Sequence, residues 1–244
     1  NGIVDSESDR WGVVAGSGDL ISAMFAGMDG KFYDVDENGN IYLSCLDAQS
    51  AEKLTFITKF FQNENVLYKR ENQGVMDMFT QGKSLFMCRI NSNREELKDM
   101  ENDFGILPLP KWNKEQDTYK SYINHNTKIY SIPNTNENTY EAGIIITALA
   151  RRYQSYTDLG LEEFEDVLYR FDEDSEMLRK YINAEKKYEL LDILRGVNST
   201  ILKPYSVMID ACVNNKFSDV VSGITSYKDA IGIALQEFGD NLSK

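Results

Sequence analysis

The sequence predicts an α/β fold in which a mixed sheet is flanked by helices. Short apolar runs with strand character alternate along the chain with longer segments whose apolar residues recur at helical spacing, an order typical of α/β domains. A hairpin signal, Glu37-Asn38-Gly39-Asn40, separates two of the strand-like runs. The apolar run over residues 84–90 predicts a buried strand. A helical bundle or a β-sandwich would not show this alternation.

Turn chemistry sets the ends of the elements in the first half of the chain. Residues 20–28 predict a helix that ends at Asp29-Gly30, and residues 31–36 and 41–46 predict the two strands of the hairpin. Asp47 is expected to cap a long amphipathic helix that begins near Ala48. A helix over residues 73–81 should stop at Gly82, before the buried strand, and a charged helix follows over residues 94–100.

Prolines and acidic stretches divide the second half. Pro108 and Pro110 end a predicted strand over residues 104–110, and residues 119–124 and 128–132 predict two more strands. The remaining segments have helical periodicity, and they cover residues 140–153, 161–168, 175–187, 206–215 and 227–238.

Charge and composition exclude several classes of function. The 244-residue chain has a net charge of −13, which argues against binding to nucleic-acid phosphates or to an anionic lipid surface. No apolar run approaches the roughly 18 residues that would span a membrane. Cys45, Cys88 and Cys212 occur without a CxxC motif or a partnering histidine, so they predict buried free thiols rather than a zinc or redox site.

Catalytic motifs are not apparent in the sequence. The single histidine, His125, has no nucleophile motif beside it, and Gly16-Ser17-Gly18-Asp19 lacks the Lys-Ser/Thr that follows a phosphate-binding loop. The abundant carboxylates fall mostly on amphipathic helices and acidic turns, where solvated faces are expected. We therefore expect a protein that is not an enzyme and needs no cofactor.

The N-terminal loop offers a calcium alternative to that expectation. Asp5, Glu7 and Asp9 are spaced like alternate oxygen ligands in the second half of a calcium-binding loop. An ordinary solvated acidic turn is the competing interpretation.

Ordered motifs resemble those of the family 1 extracellular solute-binding proteins. That family shows the patterns F..G.ALF, L.DM..DFGILP.PK and Q..Y.S in this order. The matching residues here are Phe79, Gly82, Leu85, Phe86, Leu97, Met100, residues 103–108, Pro110, Lys111, Gln116, Tyr119 and Ser121. The resemblance covers nearly the whole chain, and residues 104–111 are its most specific part.

This resemblance implies the type II periplasmic-binding-protein fold, as in maltose-binding proteins, with the opening half of the first lobe missing from the chain. Residues 1–120 would form the first part of the second lobe, residues 121–185 a returning segment of the first lobe with the hinge crossing, and residues 186–244 the C-terminal helices. First-lobe pieces, roughly residues 121–181, would have to repack, pair between chains or contact further polypeptide.

The implied function is capture of a sugar or oligosaccharide outside the cell for an ABC importer. Its partners would be the ligand and the membrane permease subunits, without nucleic acid. The full-length protein is expected to be a monomer and extracellular, held by a lipid anchor outside this chain. The alternatives are a carbohydrate-active hydrolase that uses paired carboxylates, and a ligand-sensing module of the same fold without a permease.

The resemblance also assigns candidate ligand residues. Ser17, Asp19 and Phe25 fall where the family makes its first second-lobe contacts, and Arg89 and Asn91 follow a strand that often carries a stacking aromatic. Trp112, Tyr205 and Ser206 complete the set. Since Pro204 precedes it, Tyr205 should lie at the N-terminal end of a helix, where backbone N–H groups are free to meet a ligand. The competing interpretations are core packing for Phe25 and Tyr205, surface packing for Trp112, and an ion pair for Arg89.

Overall fold

The chain has a mixed α/β structure with small sheets. A computed structural model describes residues 9–16, 18–69, 72–88, 97, 100–105, 107–123, 131–152, 177, 185–188, 194, 198–214 and 219–242. The strands are β1 (Trp11–Gly16), β2 (Tyr33–Val35), β3 (Ile41–Leu43), β4 (Val66–Lys69), β5 (Ser84–Cys88), β6 (Lys120–Ile123) and β7 (Glu185–Tyr188). The helices are α1 (Gly18–Gly27), α2 (Ala48–Phe61), α3 (Asn72–Thr80), α4 (residues 139–152), α5 (Lys203–Val213), α6 (Val220–Thr225) and α7 (Lys228–Leu242).

A parallel three-stranded sheet in the order β4-β1-β5 organises the N-terminal part. Successive side chains of β1 point to opposite faces, and both faces are covered. Val14 is completely buried with Val75 and Met78 of α3 on one face, whereas Ala15 joins the main core on the other. The central strand is therefore buried on both sides, as expected for a parallel sheet.

The main core lies on the face of the sheet that α1 and α2 cover. It also includes the hairpin β2–β3 and the helices α5, α6 and α7. Two long-range hydrogen bonds fix α5 and the turn before it there: the Tyr33 hydroxyl donates to the carbonyl of Ile201 at 2.7 Å, and the Gln62 side-chain amide donates to the carbonyl of Ala211 at 2.9 Å. Burial raises the pKa of the Tyr33 phenol, and the nearby Cys45 raises it further, so this hydroxyl stays a hydrogen-bond donor.

Local signals placed the start of α2 and the end of α3 correctly. Asp47 is the N-cap of α2, and its carboxylate accepts from the Ser50 amide at 3.0 Å. Gly82 follows α3 at φ 67°, and the Lys83 amide donates to the carbonyl of Met78, which closes the helix in a left-handed C-terminal turn. The hairpin prediction is also confirmed, with Gly39 at φ 83° between the paired strands β2 and β3.

Three predicted elements are wrong, and two strands and one helix were missed. Residues 104, 105 and 107–110 are not in a strand: Phe104 is anchored against Phe79, and the prolines at 108 and 110 have no amide to donate to a ladder. Residues 185–187 were predicted as the end of a helix but belong to β7, which pairs in parallel with β6. The strands β1 and β4 were not predicted. The helix α6 was not predicted either, and residues 131 and 132, the end of a predicted strand, are not in a strand. The strand β5 forms as predicted, but it is not buried: it pairs only with β1, and Leu85 is 72% exposed and Phe86 48% exposed. Residues 94–96, 128–130 and 161–168 lie outside the described residues.

A carboxylate at the start of α6 gives a testable dependence on pH. Asp219 accepts from the Ser222 hydroxyl at 2.6 Å and from the Val221 amide at 3.0 Å, and these hydrogen bonds lower the pKa of the carboxyl group. Because the folded pKa is depressed, its contribution to stability is present above the ordinary Asp pKa and is lost below about pH 4. Replacing Asp219 with Ala should lower the free energy of unfolding by about 1 kcal/mol at neutral pH. In urea titrations, the matched Asp219→Asn variant should keep the cap but show a weaker acid dependence.

Candidate functional site

The strongest candidate site is the edge of the sheet where the three parallel strands end. In the register, Gly16 lies beside Lys69 and Ala15 beside Cys88, so the C-terminal ends of β1, β4 and β5 are level within about one residue. The chain leaves this edge three times. Segments that follow parallel strands at this end are free of the sheet's own hydrogen bonding and are suited to contact a ligand.

The strand order places a topological switch point at this edge. From β1 the chain passes through α1, the hairpin and α2 to β4 on one side of β1, and then returns through α3 to β5 on the other side. The connections that follow β1 and β4 therefore lie on opposite faces of the sheet, an arrangement that creates a crevice at this edge in open α/β sheets. Open α/β sheets bind their ligands in such crevices.

Two helix N-termini flank the crevice. The α1 helix begins at Gly18, two residues after β1 ends, and α3 begins at Asn72, three residues after β4 ends. The first backbone N–H groups of a helix have no intrahelical acceptor, and the helix dipole makes this end partially positive. The edge therefore offers donors for ligand oxygens from both faces of the sheet. Sequence reasoning missed the contribution of β4 because residues 66–69 were not recognised as a strand.

Four of the predicted ligand residues occur in the sequence shortly after the strands that end at this edge. Asp19 is the second residue of α1, and its backbone lies in the first turn. Ser17, Arg89 and Asn91 lie outside the described residues, but Ser17 directly follows β1 and Arg89 directly follows β5. The segments that follow β1 and β5 are far apart in the sequence, but they start from the ends of neighbouring strands.

Phe25 lies in the core rather than at this edge. Its side chain is completely buried, and its ring packs against Phe32 with centroids 5.0 Å apart. This burial favours the core interpretation that the sequence left open for Phe25.

Trp112 takes part in an aromatic cluster on α2. Its ring meets Phe56 edge-on at 5.6 Å, and its backbone amide donates to the Gln116 side chain at 2.9 Å. The Gln116 amide group in turn donates to the carbonyl of Gly27, the last residue of α1. At about 1.5 Å per residue, Gly27 lies roughly 14 Å along α1 from its N-terminus. The loop that contains Trp112 is thereby fixed to the opposite end of α1 from the candidate site.

Tyr205 and Ser206 lie in the first turns of α5, near the end predicted for them. The helix begins at Lys203, with Pro204 in its first turn. Tyr205 is half-buried against the main core, and the exposed Ser206 donates its hydroxyl to the carbonyl of Leu202 at 3.2 Å. The ligand roles of both residues stay predictions.

The calcium prediction touches the described chain only at Asp9, which is half-buried; Asp5 and Glu7 lie outside the described residues. Within the described part of the chain, no group of three or more His, Cys, Asp or Glu side chains is arranged to hold a metal ion. The three cysteines are free, as predicted; Cys45 and Cys212 are also buried as predicted, whereas Cys88 is half-buried. Burial raises the pKa of both Cys88 and Cys212 to about 12, so neither is a thiolate at neutral pH.

Two comparisons of this chain with known proteins gave no match. No family model matches the chain, and no match is found among curated proteins. Over the described residues, no helix is both long enough and apolar enough to cross a membrane.

Proposed function

We propose that this chain is the ligand-capturing part of an extracellular solute-binding protein that delivers a sugar or oligosaccharide to an ABC importer. The observation that supports this most is the switch point at the C-terminal ends of β1 and β4, from which α1 and α3 begin on opposite faces of the sheet. The motif resemblance over residues 79–121 supports the same function independently. In this proposal the protein binds its ligand without chemical turnover.

The chemistry of the edge suits a polyhydroxylated, uncharged ligand. Backbone N–H groups at two helix N-termini would donate to hydroxyl oxygens. By residue type, Asp19 in the first turn of α1 adds an acceptor, and Arg89, which directly follows β5, adds a donor. Asn91 adds an amide that both donates and accepts. The chain's net charge of −13 disfavours a strongly anionic ligand, whereas binding of an uncharged sugar does not depend on that charge.

The finer fold assignment belongs to the same proposal. We place the three-stranded sheet at the centre of the second lobe of a type II binding protein, with residues 121–185 returning to the first lobe. The parallel pair β6–β7 supports this division, because β6 begins at residue 120 and β7 at residue 185, close to both boundaries. Closure of two lobes around a ligand would bury its polar groups and give a permease a changed shape to recognise.

A thermal-shift screen tests the proposal directly. A ligand that binds only the folded chain, at about 100 times its Kd, adds roughly 2.7 kcal/mol of stability, which corresponds to a rise of about 5 °C or more in Tm for a chain of this size. We expect that rise with at least one neutral oligosaccharide series. The Arg89→Ala variant should lose most of the shift.

Arg10 provides the matched control. It is exposed and directly precedes β1, so it lies at the opposite edge of the same sheet from Arg89. Arg10→Ala should keep the full ligand-induced shift. Shortened glycan products in the same mixtures would contradict the proposal and favour a hydrolase. Equal losses of the ligand-induced Tm shift in both arginine variants would show that the ligand does not bind at the edge where β1, β4 and β5 end.

A further inference from the structure

The Gln116 side chain joins three segments of the chain. Its nitrogen donates to the carbonyl of Gly27 at 2.9 Å and to the carbonyl of Thr118 at 3.0 Å, and its oxygen accepts from the Trp112 amide at 2.9 Å. A carboxamide has two N–H donors and one carbonyl oxygen, so both donors and the acceptor are used. Gly27 is the last residue of α1, and Thr118 lies two residues before β6. One half-buried side chain therefore ties the end of α1 to the start of β6.

The loop that carries Gln116 is braced internally and lies tightly against α1. The Asn113 side chain accepts from the backbone amide of Gln116 at 3.1 Å. A Cβ added at Gly27 would lie only 2.8 Å from Cβ of Leu109, so the loop is in close contact with the backbone of the helix. Since little space separates them, the loop over residues 109–119 should follow a displacement of α1 rather than absorb it.

The strand β6 packs against the same helix. Ser121 in the middle of this strand is buried, and β7 pairs with β6 in parallel although it begins only at residue 185. In the proposed function, the chain leaves for the first lobe after β6 and returns from it at β7. The direction in which β6 leaves α1 then sets the direction of both crossings.

We propose that Gln116 is a positioning residue at the hinge, which fixes β6 to the end of α1 and so orients the segment after β6 relative to the main core. The helix α1 begins at the candidate ligand edge and ends at Gly27, roughly 14 Å away. Rigid helices carry displacements between distant sites, so a ligand that moves the first turn of α1 would also move the base of β6. The inference rests on the proposed function, which assigns the segment after β6 to a first lobe.

Distances between spin labels test this inference without any ligand. A nitroxide at Glu52→Cys on α2 reports on the main core, and one at Glu141→Cys on α4 reports on the segment after β6; both positions are exposed. Cys88→Ala removes the native thiol that is only half-buried, whereas Cys45 and Cys212 are buried. Pulsed electron paramagnetic resonance of this labelled parent chain should give one narrow distribution of distances.

Gln116→Glu in the labelled chain removes the donors. A carboxylate of the same length only accepts hydrogen bonds, so it repels the carbonyl oxygens of Gly27 and Thr118. We expect the width of the distance distribution to increase about twofold, because the hinge loses its fixed geometry. Gln116→Met has a similar length and no donor or acceptor N–H or C=O group, so it should also broaden the distribution.

Gln62→Glu is the matched control. The Gln62 carboxamide also donates to a backbone carbonyl, that of Ala211 at 2.9 Å, but it joins α2 to α5 within the main core. This variant should lower Tm by about as much as Gln116→Glu and keep the narrow distance distribution of the parent chain. Circular dichroism should show unchanged helix content in all the variants.

Two results would overturn the inference. The first is a distribution of the same width in the parent chain and in the folded Gln116 variants. The second is an equal broadening in Gln62→Glu, because the effect would then follow from lower stability and not from the hinge. Failure of every oligosaccharide to raise Tm would instead count against the proposed function, and it leaves the distance measurement unaffected.

Discussion

Replacing Phe25 with alanine is expected to lower the free energy of unfolding by about 3–5 kcal/mol. The side chain is completely buried between α1 and the segment that leads to the hairpin, and its ring packs against that of Phe32. Its removal would leave a cavity that the surrounding core fills only in part. Urea unfolding should show a lower midpoint at an unchanged slope, because the surface exposed on unfolding is nearly the same.

Phe56 offers the matched comparison on the neighbouring helix. It is 46% exposed, and its ring contacts Trp112 and Phe60 at the surface of α2. Phe56→Ala should therefore lower the free energy of unfolding by only about 1 kcal/mol, because most of the apolar area is already in contact with water. If Phe25→Ala instead abolished oligosaccharide binding while the unfolding midpoint stayed in place, Phe25 would be a ligand residue and its core assignment would fail.

Local sequence signals predicted much of the fold. The hairpin, the cap of α2 and the stop of α3 each depend on one residue with a specific backbone or hydrogen-bonding property: Gly39 at positive φ, Asp47 as an acceptor, and Gly82 at positive φ. These properties act within about four residues, so they are visible in the sequence without knowledge of the rest of the chain.

The strands β1 and β4 were missed because their stability comes from contacts distant in sequence. β1 is six residues long and β4 is four, and neither shows an alternating pattern that would distinguish it from a loop. Their start is fixed by the carbonyl of Asn65, which accepts from the amides of Gly12 and Val13. Such a pairing becomes visible only once the order of the strands is known.

The candidate site depends on that same order. Ser17 and Arg89 were expected to contact a ligand, but only the placement of β1 between β4 and β5 shows that the strands preceding them end side by side. The aromatic candidates were harder to assign, since Phe25, Trp112 and Tyr205 all suit either sugar stacking or packing. Side chains that are distant in sequence but close in the fold decide between stacking and packing, and the sequence alone does not identify them.

Gly30→Ala is the second substitution with a large expected effect. The Gly30 amide donates to the carbonyl of Phe25 at 2.8 Å, and the backbone passes directly over the Phe25 ring. A Cβ at this position would overlap Cδ2 and Cε2 of that ring and lie 2.7 Å from Cζ. The ring is held by Phe32 and cannot move into open space, so we expect a loss of about 3 kcal/mol in the free energy of unfolding.

A double-mutant cycle separates this overlap from any effect on the backbone of Gly30 itself. In a Phe25→Ala background the ring is absent, so Gly30→Ala should cost close to nothing, and the two losses should fall short of additivity by about 3 kcal/mol. Gly232→Ala in α7, where a Cβ meets nothing within 4 Å, should instead raise the free energy of unfolding by up to about 1 kcal/mol. A full Gly30→Ala loss that persists without the ring would show that position 30 requires glycine for its backbone conformation, and that the close approach to Phe25 is not the cause.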